Sequence, residues 1–86
     1  MEKRIGAALI LVEDKEFVEK LNQIISSHAH IILGRQGLPV REKNISIISL
    51  VLEGTTDQIG ALTGQLGRLK GIQVKSVLTK PGTRHA

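Results

Sequence analysis

The sequence predicts an α+β domain whose elements run strand, helix, strand, strand, helix, strand. Three observations carry this. Residues 4–13 and 45–52 are aliphatic on both alternating faces, as strands covered on two sides are. Two amphipathic stretches, one after each of these strands, begin with residues suited to helix capping. The last segment, 72–79, alternates between apolar and polar residues, as a strand with one solvated face does.

In order, the first strand places Ile5, Ala7, Leu9 and Leu11 on one face and Gly6, Ala8, Ile10 and Val12 on the other. Asp14 then offers a side-chain oxygen to cap a helix, with Glu16 favourable in the first turn. Phe17, Val18, Leu21, Ile24 and Ile25 follow at helical spacing, and this helix is expected to end between Ser27 and Ala29. A second strand is expected over 30–38, interrupted by Gly34 and Gly37, followed by a polar connection over 39–44. The third strand sets Ile45, Ile47 and Val51 against Ile48, Leu50 and Leu52. Thr55-Thr56-Asp57-Gln58 fits a capping box, in which threonine and glutamine each satisfy a free backbone amide. The second helix carries Ile59, Leu62, Leu66 and Leu69 on one stripe and is expected to stop at Gly71 in a left-handed C-cap. In the final strand Ile72, Val74 and Leu78 point inward and Gln73, Lys75 and Thr79 outward.

Two halves of similar design suggest the split β-α-β, or ferredoxin-like, plan: a four-stranded antiparallel sheet with both helices on one face. The central strands of that plan are the first and third, the two that are apolar on both faces. The open face of these strands would therefore stand in water, and a large exposed apolar patch marks an interface. The expectation is a homo-oligomer, dimer or tetramer, in which another copy covers the open face or the sheet edge. Eighty-six residues make one domain over residues 1–80, with 81–86 expected as a flexible tail. Partner subunits are the remaining source of burial, because the chain has no cysteine for disulfides or thiolate metal sites.

Composition narrows the function. One phenylalanine is the only aromatic among Phe, Tyr and Trp, which argues against modules that stack nucleic-acid bases on rings. The net charge of +4 permits an acidic partner without requiring one, so nucleic acid is not expected without a partner protein. No apolar run spans a bilayer and the start lacks a secretory signal, so the chain reads as cytoplasmic.

Three constellations are candidates for chemistry. Gly60, Gly64 and Gly67 form one stripe of the second helix, and each internal glycine costs roughly 1 kcal/mol relative to alanine, so close approach of another element is the expected compensation. Gly34-Arg35-Gln36-Gly37 sets an arginine, able to hold a carboxylate or phosphate bidentately, between two strand glycines. The third is His28 and His30, whose rings would share one side of an extended segment as half of a metal site that a partner's carboxylate would complete. A buried or capping role is the commoner fate of His28, since it falls on the apolar stripe of the first helix. No Ser/His/Asp or Cys/His arrangement and no phosphate loop appear, and Glu13 and Asp14 are a strand end and a helix cap. The reading is non-enzymatic, and the sequence names no cofactor.

The segment Gly34-Arg35-Gln36-Gly37-Leu38-Pro39, residues 45–54 and above all residues 56–76 resemble the iron-only hydrogenase system regulators. That resemblance implies an ACT-like regulatory domain, similar to the regulatory domain of nickel-responsive repressors. Two departures limit what it carries over. Nickel-responsive regulators bring His-x-His from the second strand and a cysteine from the third, where this chain has Ile32-Leu33-Gly34-Arg35-Gln36 and no cysteine. Amino-acid-binding ACT domains have a glycine in the first strand-to-helix loop, where Glu13-Asp14-Lys15 stands here. The expected function is a small oligomeric ligand-sensing or regulatory module that binds a small effector or a partner protein at a subunit interface through Gly34, Arg35, Gly37, Gly60 and Gly64. The alternatives are a metal-responsive sensor built on His28 and His30, and a structural protein–protein adaptor.

Overall fold

A computed structural model describes residues 2–79; the tail expected over 81–86 lies outside them. The strands are β1 (Arg4–Val12), β2 (Ile32–Val40), β3 (Ile45–Gly54) and β4 (Ile72–Leu78), and the helices are α1 (Val18–Ser27) and α2 (Thr56–Gly67). The sheet is antiparallel throughout, with order β2-β3-β1-β4, so the two doubly apolar strands are central as the sequence requires. This is the ferredoxin-like arrangement.

Local chemistry sets the element ends. Asp14 caps a 3₁₀ turn (Lys15–Phe17) that leads into α1, its Oδ1 accepting from the Glu16 amide at 2.9 Å. Phe17 therefore belongs to this turn and Val18 opens the helix. At α2 the capping box forms in full: the Gln58 amide donates to Thr55 Oγ1 at 3.1 Å and Gln58 Oε1 accepts from the Thr55 amide at 2.9 Å. The helix ends at Gly67, with Arg68 as its C-cap, and does not run to Gly71. Gly71 is nevertheless left-handed, at φ 76°, in the turn that feeds β4. Its carbonyl accepts from the amides of Glu13 and Asp14, and a Cβ there would lie 2.2 Å from Asp14 Cβ. Glycine is needed at 71 to tie the end of β1 to the start of β4.

β2 begins and ends two residues later than the sequence suggested, at Ile32 and Val40. A 3₁₀ turn over Ala29–Ile31 takes up the first residues, and Ile31 is buried in it. The expected glycine-associated irregularity is a break in register between Ile32 and Gly34.

The core is aliphatic and lies between the sheet and the helices. Ala8, Ile10 and Val12 of β1 and Ile48, Leu50 and Leu52 of β3 meet Leu21, Ile24 and Ile25 of α1 and Ile59, Leu62 and Leu66 of α2. No polar or charged side chain is buried among the described residues. Leu69 packs against this core from beyond the end of α2.

Candidate functional site

The strand registers assign every residue of the sheet to a face. Opposite the helices, one row across β2, β3, β1 and β4 reads Gly34, Val51, Ala7, Val77. The next reads Gln36, Ser49, Leu9, Lys75, and the third Leu38, Ile47, Leu11, Gln73. Leu9, Leu38, Val51 and Val77 are 44%, 58%, 46% and 72% exposed, which is unusual for residues in and beside central strands. Around Ala7 this face sinks into an open hollow of about 260 Å³, lined by Ile5, Gly6, Ala7, Val51, Val77, Leu78 and Thr79. Small residues in the centre of β1 and larger ones on both flanks make the depression.

Val77 corrects the expectation that β4 is polar on its outward face. Gln73 and Lys75 do point outward, but Val77 follows them on the same side and is the most exposed large apolar residue described. The signal was present in the sequence: the alternation of 72–75 ends at Ser76, after which Val77 and Leu78 are both apolar.

The five residues singled out for ligand binding are not brought together within one chain. Gly34 faces the open side, whereas Arg35 and Gly37 pair with Leu50 and Ile48 and so face the helix side. There the Arg35 guanidinium donates to Asn22 Oδ1 of α1 at 2.9 Å. Gly60 and Gly64 lie on the exposed surface of α2, which packs over β4, β3 and β1. A Cβ added at Gly34, Gly37, Gly60 or Gly64 would meet nothing within 4 Å, and none of the four has a positive φ. Neither backbone conformation nor a close contact inside the chain requires glycine at these positions. Gly67 behaves the same way.

The histidines are arranged differently from the extended pair expected. His28 is the C-cap of α1 and His30 lies in the following 3₁₀ turn. Their rings stack at a centroid separation of 6.5 Å and an interplanar angle of 18°. His28 Nδ1 lies 2.9 Å from the Ile24 carbonyl oxygen, a pure acceptor, so Nδ1 carries the proton in this bond. The capping role explains His28 without a ligand. No cluster of three or more metal-ligating side chains forms among the described residues.

No helix of the described residues is long and apolar enough to cross a membrane. Comparison with known proteins agrees with the fold and adds a family. Residues 4–76 match the model of the TM1266-like family, described as "Iron-only hydrogenase system regulator, putative". The solved structure of the uncharacterized protein TM1266 from Thermotoga maritima is 45% identical and covers 92% of this chain and 100% of its own, with a TM-score of 0.86. The C-terminal domain of the MgtC protein from Mycobacterium tuberculosis superposes over 95% of this chain and 94% of its own with a TM-score of 0.64, at 13% identity, and so shares the fold alone. No curated protein matches the chain. With a match over nearly the whole folded domain and a 45% identical structural relative, the chain belongs to the TM1266-like family of iron-only hydrogenase system regulators.

Proposed function

We propose that the chain acts as a non-catalytic, oligomeric regulatory module, in which a second copy covers the open sheet face and a small effector or partner protein binds at the boundary between copies. The observation that carries this is the open face itself, where Leu9, Leu38, Val51 and Val77 stand in water. Its size lies at the lower limit for a specific interface. Four strands spaced about 4.8 Å apart, rising about 3.3 Å per residue, present a face of roughly 500 Å². Two such faces together approach the roughly 1,000 Å² that a specific interface needs. A domain this small gains more from such burial than a larger one would.

Arg35, whose side chain lies on the helix side of edge strand β2, supplies the charged contact in this reading from the margin of the sheet and not from the covered face itself. It sits on an edge strand, is exposed, and Asn22 fixes one end of its guanidinium, which leaves further N–H donors for a carboxylate or phosphate. Gly34 and Gly37 flank it without bulk. Gly60 and Gly64 leave the outer surface of α2 bare, so that a neighbouring backbone can come close. Native mass spectrometry of the protein as purified, wild type and Arg35→Ala, tests the reading. It predicts an oligomer whose retained mass, or whose capture of a hydrogenase-system protein, is lost in Arg35→Ala while subunit number is kept. An unchanged adduct or capture in the variant removes Arg35 from the site, and a monomer removes the interface.

A further inference from the structure

The core does not hold the register of β2. Beyond the break, the residues that β2 turns toward the helices are Arg35, Gly37 and Pro39, so no aliphatic side chain of 34–40 anchors it there. Leu38 lies on the open side, 58% exposed, and Leu33, at the break, has no partner on β3 and is 60% exposed. A buried face specifies register strongly, and a glycine-containing strand without one is free to slip.

The same residues fit a second register. Ile32 pairs with Leu52; carried on without a break, that ladder sets Leu33 opposite Val51, Gly34 opposite Leu50, Arg35 opposite Ser49 and Leu38 opposite Ser46. Each side chain from 34 to 38 then changes face, as a one-residue slip requires. Leu38 turns toward the helices. Arg35 crosses to the open face and replaces Gln36 in the row that continues through Ser49, Leu9 and Lys75.

Backbone hydrogen bonds decide which register is at rest. The Thr79 amide donates to the Ile5 carbonyl and the Glu13 amide to the Gly71 carbonyl, so odd-numbered residues of β1 face β4 and even-numbered ones face β3. Odd-numbered residues of β3, Ile45 among them, therefore face β2. In the observed register Ile45 meets Val40; after the slip it would meet Pro39, which has no amide to donate. The slip also takes Arg35 from Asn22. A ligand that favours the second register has to offset both losses.

We infer that a phosphate group held on the open face by Arg35, Ser49 and Lys75 draws β2 into the unbroken register, which makes β2 a ligand-driven switch. In that register Arg35 and Lys75 stand three strand spacings apart, about 14 Å between Cα atoms, and their long side chains close from both sides over Leu9. A guanidinium fork, an ammonium and a hydroxyl together match a doubly charged phosphate better than a single carboxylate. The acids on this face, Glu13 and Glu53, lie four residues along their strands from Leu9 and Ser49, about 13 Å away. The inference rests on the reading above only in taking Arg35 as the charged contact, and it needs no second copy.

The chain has no cysteine, so introduced pairs report the register. Gly37 and Ile47 point to opposite faces in the observed register and stand directly opposite each other on the open face after the slip, about 5.5 Å between Cα atoms, within the range a disulfide spans. A Cβ at Gly37 meets no atom within 4 Å, so the position accepts a side chain. Leu38→Cys/Ile47→Cys is the control, because these two residues are opposite each other in the observed register. Under mild oxidation of dilute protein, inorganic phosphate is expected to close the Gly37→Cys/Ile47→Cys disulfide about fivefold or more faster than chloride of equal ionic strength, and to slow closure of the control. Adding Arg35→Ala is expected to abolish the acceleration with circular dichroism unchanged. Equal rates in phosphate and chloride while the control closes, or an acceleration that survives Arg35→Ala, overturns the switch. Either result, beside an adduct that Arg35→Ala loses in native mass spectrometry, removes the switch and keeps Arg35 as the contact. Phosphate-driven closure in a protein that stays monomeric supports the switch and removes the covered face.

Discussion

The two faces of the sheet are built from the same strands and have opposite fates. On one face Ile10, Leu50 and Leu52 are fully buried under α1 and α2. On the other, Leu9 and Val51, their immediate neighbours in sequence, are close to half exposed. A strand that alternates apolar with apolar is written for two covers, and the described residues supply one. The missing cover is the feature from which the function is read, because an 86-residue domain has little apolar surface to leave unused.

The comparison is broken most forcefully from the covered side. Leu50→Ala, at a fully buried position, is expected to cost about 3–4 kcal/mol in denaturant unfolding, as a large-to-small change in a sealed core does. Leu9→Ala, next to it on the other face, costs under about 1 kcal/mol if the open face stays in water, because the side chain is already partly hydrated. If a second copy covers it, the cost is larger and grows with protein concentration. Measuring both variants at two concentrations tells the cases apart. Gly71→Ala follows, at about 2 kcal/mol, since it needs a left-handed residue whose Cβ would collide with Asp14; loss of midpoint without loss of cooperativity is the expected signature. Thr55→Ala removes one half of the capping box and should cost about 1 kcal/mol, loosening the cover that α2 provides. The smallest effects sharpen the other side of α2. Gly60→Ala and Gly64→Ala meet no atom within the chain and should raise the stability of the dilute protein by up to about 1 kcal/mol each. Where copies pack closely on that surface, the same variants should lower the oligomer fraction seen by light scattering.

Much of the fold was legible because local and global patterns agree. The double aliphatic faces of residues 4–13 and 45–52 identified the central strands, and the Thr55–Gln58 box placed the start of α2 at the residue observed. Boundaries were missed where a short turn competed with a regular element. Gly71 announces a left-handed turn, but three residues separate it from the end of α2, and sequence does not say whether a helix or a loop fills them. His28 and His30 were read as extended because alternation alone cannot see that Ile31 is drawn into the core through a 3₁₀ turn.

The candidate site was less legible. Glycines at 34, 37, 60 and 64 stood out as costly residues in regular elements, yet the chain's own packing requires none of them. What sequence could not supply is which face Arg35 takes, since the register break before it decides that and only the fold fixes the break. The hollow around Ala7 was equally hidden, because it needs residues of β1, β3 and β4 in one row.

The central claim is that the open face is covered by a second copy, and sedimentation equilibrium of the wild type beside Leu9→Lys tests it most directly. A lysine is tolerated at a position 44% exposed in the single chain, so the variant should fold normally. The account predicts a wild-type mass that is a multiple of 9.3 kDa and a Leu9→Lys mass reduced at least twofold at equal concentration. A wild type that sediments as a monomer, or a folded Leu9→Lys with the same subunit number as the wild type, would contradict it.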